Sequence, residues 1–314
     1  MKSDSRKVIY AALGANALIA VSKFVAASIT GSSAMMSEGV HSVVDTGNQG
    51  LLLLGMRRAK RPADAEHPFG YGAEIFFWAF VVAILIFALG AGISIYEGIN
   101  KLLNPHPIDR PYINYIVLGF AFVFECAAWT IAYKEFRKAQ GSRRKFRFFT
   151  AVRQSKDPAT FTVLFEDSAA MLGLVAAAAG VAAAYELGLE WADGVASIVI
   201  GAILAGAAIL LARETKGLLI GEAASPAVVR GIREIIKDAP DILHINELRT
   251  MHLAPHEILL VLSVDFADGI SSQRVEAAVS LLESRIKKSY PEVRRVFIEV
   301  QATHDGMARR RSSI

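Results

Sequence analysis

Long apolar stretches, separated by short polar connections, fill the first two-thirds of the chain. A helix rises 1.5 Å per residue, so about 20 apolar residues cross the roughly 30 Å of hydrocarbon in a bilayer. Six stretches meet that length, and we predict membrane-spanning helices at about residues 8–30, 33–56, 74–99, 112–136, 159–187 and 191–212. Prolines after the second and third stretches are helix stops. The pattern therefore predicts an all-α membrane domain of six transmembrane helices.

A different pattern begins after Arg213. Ser225-Pro226 supplies the N-cap and first-turn proline of a helix, and two segments of alternating apolar and polar residues follow. A second amphipathic helix and a last strand complete the order α-β-β-α-β. The apolar positions are Ile232, Ile235 and Ile236, then Ile258, Leu260, Leu262, Val264 and Phe266, then Val275, Ala278, Val279, Leu282 and Ile286, and finally Val296, Ile298 and Val300. We predict a small α+β domain of ferredoxin-like type, which would be steadier as a dimer.

The two patterns predict a transmembrane domain over residues 1–213, a cytoplasmic domain over 214–305 and a disordered tail over 306–314. Hydrophobic residues make up 53% of the chain, above the roughly 45–50% of soluble domains. The single cysteine, Cys126, excludes a disulfide framework within the chain and a cysteine-rich zinc cluster. The first apolar stretch has spanning length and no small-residue cleavage site after it, so we interpret it as a retained span. We expect no nucleic-acid partner.

Lysine and arginine are concentrated on one side of the predicted membrane domain. The N-terminus and the loops after the second and fourth spans carry 16 of them, whereas the opposite side has only Lys101 and Arg110. The positive-inside rule then predicts a multi-pass protein of an inner or plasma membrane, with both termini in the cytoplasm. The basic loop after the fourth span contacts lipid headgroups or a partner, and the sequence leaves both alternatives open.

Two ionisable residues lie four apart in the second span. His41 and Asp45 share one helix face, where each ionisable group costs roughly 2.5–3.5 kcal/mol on insertion scales. An imidazole and a carboxylate together suit Zn²⁺ and its first-row neighbours. The pair therefore predicts a metal site inside the membrane, and the alternative is a structural hydrogen bond between helices.

The fifth span supplies two carboxylates, Glu166 and Asp167, near its cytoplasmic end. Adjacent residues on a helix point about 100° apart, so only one of them can face the second span directly. We expect the facing carboxylate to be a ligand and the other to have a lesser role, with a mild preference for Asp167 as the ligand. Water, a second carboxylate or a backbone carbonyl can complete the coordination.

Other polar or small residues in the spans carry weaker signals. Asn16 is expected to form a hydrogen bond between helices or to line the metal cavity. Glu125 is isolated in the fourth span, and Asp193 lies near a span end, where exposure costs little, so neither is assigned a role. Small residues in the last two spans, including Gly201 and Gly206, are expected to allow close helix packing.

Two motifs carry a family resemblance. The run GSSAMMSEGVHSVVDTGNQ at 31–49 resembles the second span of the cation diffusion facilitators, and HPFGYG at 67–72 resembles their loop between spans two and three. The six predicted spans and the α-β-β-α-β tail fit that family too, so the resemblance covers nearly the whole chain. Asn48-Gln49 and Glu166-Asp167-Ser168-Ala169-Ala170 resemble the branch that contains the mitochondrial zinc transporter of animals. The resemblance implies a homodimeric metal/proton antiporter.

The resemblance also implies which residues hold the ion. The family uses two residues four apart on span two, both matched here, and two more on span five. The usual His-x-x-x-Asp of span five is absent, because the partner position of Glu166 is Ala170 and that of Asp167 is Met171. Either register loses one ligand. Since fewer nitrogen ligands favour harder ions, Mn²⁺, Fe²⁺ or Co²⁺ are candidates beside Zn²⁺ as the transported metal.

A secondary metal site of the family is partly kept in the loop after span two. Asp64 and His67 match it, whereas Tyr71 stands where a second histidine is usual. The loop is then either a secondary metal site or a segment that only anchors to the cytoplasmic face of the membrane.

In well-studied members the tail binds zinc between subunits. Here the expected ligand positions hold Asn246, Ser263 and Gln301, which leaves Glu299 alone. His252 and His256 are nearby in sequence, on what we predict to be a turn between strands. We favour a tail without metal that serves dimerisation.

Three functions compete. A carrier would take the ion from the cytoplasm at His41, Asp45 and a span-five carboxylate and exchange it for protons. An intramembrane zinc hydrolase would need a general base beside a metal-bound water, and the sequence contains no His-Glu-x-x-His motif, so we expect a transporter and not an enzyme. A metal-binding scaffold or regulatory subunit that does not transport is the remaining alternative.

Overall fold

The computed structural model describes residues 3–139 and 156–302. The chain divides into two compact units, one formed by Met1–Lys60 and Glu74–Lys216, the other by Arg61–Ala73 and Gly217–Ile314. Most of the basic loop after the fourth predicted span, residues 140–155, lies outside the described residues. The predicted tail at 306–314 lies outside them as well.

Seven α-helices are described in the first unit. They are α1 (Ser3–Thr30), α2 (Ser33–Arg58), α3 (Glu74–Leu85), α4 (Gly92–Leu103), α5 (Pro111–Ala139), α6 (Pro158–Glu186) and α7 (Trp191–Leu219). The first residue of α6 is a proline, and the Asp157 side chain before it accepts from the backbone N–H of Ala159 at 3.2 Å. This N-cap satisfies one of the donors that a helix start leaves free.

A π-helical turn, Ile86–Ala91, joins α3 to α4 and makes one long helical segment of them. The sequence pattern predicted a single uninterrupted span there. Single π-helical turns inside α-helices are rare and are frequently found at functional sites. The last helix, α7, also continues to Leu219, beyond the hydropathy change at Arg213.

In the described part of the chain, four helical segments are long and apolar enough to cross a membrane. They are Glu74–Leu103, Pro111–Lys134, Phe161–Glu186 and Trp191–Leu219. α1 adds a shorter apolar segment, Asn16–Thr30, and α2 is not in the set. Buried polar side chains interrupt the apolar sequence of α2, among them Ser37, Glu38, His41, Ser42 and Asn48. The two further spans remain a prediction.

The helix α2 lies in the middle of the first unit, since it contacts α1, α3, α4 and α6. The pair α4 and α7 comes especially close. A Cβ atom on Gly98 would lie 2.6 Å from the carbonyl oxygen of Gly194, and one on Gly201 would lie 2.6 Å from Ile95. Close packing is thus confirmed at Gly201, whereas a Cβ atom on Gly206 would meet no other atom within 4 Å among the described residues.

The second unit has the element order that the sequence predicts. Its elements are α8 (Pro226–Lys237), β1 (Ile242–Ala254), β2 (Glu257–Phe266), α9 (Ser272–Ser289) and β3 (Val293–Val300). The sheet order is β1-β2-β3, with β1 antiparallel and β3 parallel to β2. Ser225 caps α8, as predicted, by accepting from the backbone N–H of Val228.

One face of this sheet packs on the two helices. The alternate residues of β2 from Ile258 to Phe266 are buried together with Ile232, Ile236, Leu282 and Ile286. The period-2 and period-3.6 patterns therefore place these core residues correctly. The segment 61–73 belongs to the same unit, and the Phe69 ring packs edge-on against Phe297, with ring centroids 6.4 Å apart.

Candidate metal centre

The predicted pair of α2 lies on its inward face. His41 is almost fully buried, and its Nε2 lies 3.4 Å from Oδ2 of Asp45. That contact is not a hydrogen bond, and neither imidazole nitrogen has a hydrogen-bond partner among the described residues. The second carboxylate oxygen of Asp45 is buried and equally unpartnered there. Buried polar atoms normally have partners, so three free atoms here indicate a site that another group completes.

The carboxylates of α6 lie across from this pair. α2 packs against α6, and the amide of Asn48 donates to Glu166 Oε1 at 2.8 Å. Asp167 is buried too, and its Oδ2 has no hydrogen-bond partner among the described residues. Both carboxylates are close enough to Asp45 for their charges to interact. The two residues therefore differ in their surroundings. Glu166 is hydrogen-bonded to Asn48 of α2, whereas one carboxylate oxygen of Asp167 has no hydrogen-bond partner among the described residues.

These residues do not form a finished coordination shell. Within residues 3–139 and 156–302, no three histidine, cysteine, aspartate or glutamate side chains are arranged to hold a metal ion. The structure thus brings the two pairs of predicted ligands onto two helices, α2 and α6, that pack together, and His41 lies 3.4 Å from Asp45.

Glu125 of α5, which the sequence indicated to be isolated, belongs to the same polar region. Its charge interacts with those of Asp45 and Asp167. Asn16, in contrast, behaves as expected for a contact between helices, because its amide donates to Gln49 Oε1 on α2 at 3.3 Å. The hydrogen bond between α1 and α2 is thereby confirmed.

A buried ion pair that is not predicted from the sequence lies near His41. Lys23 of α1 and Glu38 of α2 are fully buried, with Lys23 Nζ 2.8 Å from Glu38 Oε2. The same ammonium donates to Ser42 Oγ at 2.8 Å. Both charged residues lie inside predicted spans, where an ionisable side chain is a functional signal by itself, and that signal was available in the sequence.

The structure corrects the prediction that Asp193 lies near a span end, where water is accessible. It is fully buried at the start of α7, and its carboxylate accepts from the Ser32 hydroxyl at 2.6 Å. It accepts as well from the backbone N–H groups of Ser33 at 2.7 Å and Ala34 at 3.3 Å. Lys101 Nζ lies 3.8 Å away. A carboxylate at the N-terminus of α2 accepts from two of its free N–H groups and complements its dipole, so Asp193 fixes the start of the helix that carries His41 and Asp45.

The loop residues Asp64 and His67 are bound into their own turn. Asp64 Oδ1 accepts from the backbone N–H groups of Glu66 and His67, and Oδ2 accepts from the Tyr71 hydroxyl at 2.7 Å. The Tyr71 hydrogen bond is the main reason that the pKa of Asp64 lies below its ordinary value, and the same bond raises the pKa of Tyr71. His67 Nδ1 remains 3.7 Å from Asp64 Oδ1. The Tyr71 hydroxyl and two backbone N–H groups thus donate to the Asp64 carboxylate, at both of its oxygens.

In the second unit, the residues at the expected ligand positions bond to one another. Asn246 donates to the carbonyl oxygen of Gln301 at 2.7 Å, and Ser263 Oγ donates to the Gln301 side chain at 3.4 Å. His252 lies on β1 and is buried, which corrects its predicted place on a turn, whereas His256 is exposed in the turn itself.

Comparison with known proteins finds one family and several relatives. The family model described as the cation efflux transmembrane domain matches residues 9–220. The mitochondrial proton-coupled zinc antiporter SLC30A9 of Xenopus laevis is 35% identical over 264 residues, which cover 84% of this chain and 47% of that protein. The human protein of the same name is 29% identical over 331 residues, covering 94% and 58%.

A bacterial relative matches end to end. The manganese efflux system protein MneP of Bacillus subtilis is 24% identical over 298 residues, which cover 94% of this chain and 95% of that protein. In contrast, this chain spans about half the length of the zinc antiporters that it matches.

Proposed function

Because this chain belongs to the cation efflux transmembrane domain family, we propose that it is a secondary transporter that exchanges a divalent metal, foremost Zn²⁺, for protons across a membrane. The relatives named proton-coupled zinc antiporters support both the metal and the proton. The transported zinc is then a substrate and not a resident cofactor.

The observation that carries the proposal is the facing of α2 and α6. One helix brings an imidazole and a carboxylate with unpartnered polar atoms, and the other brings Glu166 and Asp167. A histidine nitrogen with carboxylate oxygens is a donor set that suits Zn²⁺. Carboxylates of like charge repel one another, and a divalent ion between them replaces that repulsion by attraction. The coordination shell would therefore close as the ion enters.

Proton coupling follows from the chemistry of the ligands. Imidazole and carboxylate groups bind a metal only when they have lost their protons, so a proton and the ion compete for the same atoms. A transporter that opens this site alternately to the two sides would release metal where protons are abundant. Metal then moves one way and protons the other.

The metal preference rests on the number of nitrogen ligands. Zn²⁺ is favoured by His41 and by the names of the zinc antiporters. Mn²⁺ is a second candidate, since the site has one imidazole among several carboxylates and one relative is named a manganese efflux protein. Fe²⁺ and Co²⁺ complete the set to be compared.

The architecture proposed with this function has six spans, with α1 and α2 added to the four apolar segments. Both termini lie on the cytoplasmic side of an inner or plasma membrane, as the distribution of lysine and arginine predicts. The transporter is a homodimer in which the second unit serves dimerisation. Asp64 and His67 remain the candidates for a secondary metal site, in competition with the hydrogen bonds that now hold Asp64.

Metal binding by variants of the full chain tests the site. Isothermal titration with Zn²⁺, Mn²⁺, Fe²⁺ and Co²⁺ should show tight binding for one of them, and both His41→Ala and Asp45→Ala should abolish it. Matched controls are His244→Ala and Asp268→Ala, which remove exposed residues of the same types from the second unit and should bind like the parent chain. Unchanged affinity in the α2 variants would exclude this site.

Metal binding by the parent chain without metal flux into vesicles would favour the non-transporting scaffold.

A further inference from the structure

A fully buried ammonium lies beside the proposed metal ligands and has no part in the exchange described above. Lys23 Nζ contacts Glu38 Oε2 and Ser42 Oγ, each at 2.8 Å. Lys23 and Glu38 are both 0% exposed. Placing an ionisable group inside a membrane domain costs free energy, and such groups usually mark functional sites. The buried pair of Lys23 and Glu38 therefore requires an explanation.

The two acceptors of Lys23 flank His41 along the helix. Glu38 and Ser42 are four residues apart and lie one above the other on one face of α2, with His41 on the turn between them. The ammonium therefore bridges α1 to both ends of the turn that carries the imidazole.

Among the described residues, no hydrogen bond fixes the orientation of the His41 ring. Neither nitrogen has a partner among the described residues, whereas a ligating histidine commonly donates its second N–H to a carboxylate or carbonyl that orients the ring. The direction of the imidazole here depends on the backbone of α2 and on the packing around it. Whatever holds that turn in place also holds the ring.

Glu38 extends the bridge to the helix with the other ligands. A Cβ atom on Gly173 of α6 would collide with Glu38 Oε1, so this carboxylate lies directly against the α6 backbone. One connected set of contacts thus runs from α1 through the His41 turn of α2 to the backbone of α6.

We propose that Lys23 is a positioning residue for the metal site: its bridge to Glu38 and Ser42 fixes the turn of α2 that presents His41 to the ion. The inference rests on the proposed function, because it assigns a role within the same site. Lys23 and Glu38 neutralise each other, so the attraction for a divalent ion comes from Asp45 and the carboxylates of α6.

The main test removes both charges together, with Lys23→Met and Glu38→Leu in one variant. Breaking a buried pair at one end leaves an unpaired charge, whereas replacing both partners by apolar side chains of similar volume is often neutral for stability. We expect this double variant to unfold near the temperature of the parent chain and to bind Zn²⁺ about 10- to 100-fold more weakly, the usual effect of losing the support of a ligating histidine. Ser42→Ala should weaken binding by a smaller factor, and Ser28→Ala on the exposed face of α1 should not change it.

A double-mutant cycle separates positioning from general stability. The glutamine of His41→Gln keeps a side-chain oxygen that can contact the ion, so this background should bind zinc weakly but measurably. If the bridge acts through the imidazole, the charge-free variant should cost little further affinity there. Full additivity with His41→Gln, or parent-like zinc affinity in the charge-free variant, would overturn the proposal. If the charge-free variant does not fold, two other variants test the same bridge. Ser42→Ala removes one acceptor of Lys23, and Gly173→Ala displaces the Glu38 carboxylate. Parent-like zinc affinity in both of them would also overturn the proposal. Failure of the parent chain to bind any of the four metals would instead refute the proposed function.

Discussion

Glu166 and Asp167 are adjacent, yet their surroundings differ. Glu166 accepts a hydrogen bond from Asn48, whereas Asp167 keeps one buried oxygen without a partner among the described residues. A free, buried carboxylate oxygen is the better candidate for a metal ligand, and a carboxylate already bonded to an amide is the better candidate for a supporting group.

This difference predicts unequal losses of metal affinity. Asp167→Ala should weaken Zn²⁺ binding by more than about 100-fold, and Glu166→Ala by only about 10-fold, the lower end for an outer partner of a ligand. Competition titration with a chelator of known affinity on each single variant measures both effects. Equal and small losses would remove α6 from the site.

Asp64 and Tyr71 give a second prediction at the scale of single residues. The pKa of Asp64 is lowered in the folded loop, so its ionised form stabilises the loop at every pH above the ordinary value of 3.8. That contribution is lost as the pH falls through the lowered pKa. Tyr71→Phe removes the main cause of the shift, and the protection of the loop should then be lost at a higher pH than in the parent chain.

Hydrogen exchange of the backbone N–H groups of Glu66 and His67, followed by mass spectrometry from pH 7 downward, measures this shift, because both groups donate to Asp64. Tyr290→Phe, a tyrosine change in the second unit outside the loop, is the control. Identical pH profiles for the parent chain and Tyr71→Phe would show that Tyr71 does not hold the loop.

Among the elements, the contact between α4 and α7 depends on glycine. Gly98→Ala would place a methyl group 2.6 Å from the Gly194 carbonyl oxygen, so the helices must separate, and overpacking of this kind costs about 1–3 kcal/mol. Gly206→Ala on the same helix pair meets no atom within 4 Å among the described residues and should be neutral or slightly stabilising. Thermal unfolding in detergent compares the two. A melting temperature for Gly98→Ala at or above that of Gly206→Ala would contradict the close packing.

Element order and core positions follow from the sequence because each depends on a short-range pattern. The alternation from Ile258 to Phe266 and the N-cap at Ser225 needed only neighbouring residues, and both are observed. The π-helical turn at Ile86–Ala91 left no such signal, since its residues are apolar throughout and suit an ordinary helix equally well.

Contacts between distant helices could not be predicted in the same way. His41 and Asp45 were identified because they lie four apart on one helix, whereas Lys23 meets Glu38 only after α1 folds back on α2. Asp193 is 160 positions beyond Ser33, and its burial depends on how α7 packs beside the start of α2. Periodicity shows which face of a helix is polar and does not show which helix will cover it.

At the scale of the whole molecule, the second unit has its own core and its own sheet. If it serves dimerisation, a chain that ends at Leu219 should dimerise more weakly and still bind Zn²⁺ with nearly the parent affinity. Light scattering across a dilution series and the same chelator competition test both points. Loss of zinc binding with an intact dimer would reverse the assignment of roles to the two units.

The most direct test of the central proposal is zinc movement and proton movement recorded together in vesicles that contain the purified chain. If the site between α2 and α6 exchanges zinc for protons, an opposing proton gradient should accelerate zinc uptake, and each uptake should be accompanied by proton release. Asp45→Asn, which preserves the shape of the side chain, should abolish both signals. Zinc uptake at an unchanged rate with the gradient held at zero, and without proton movement, would contradict the exchange.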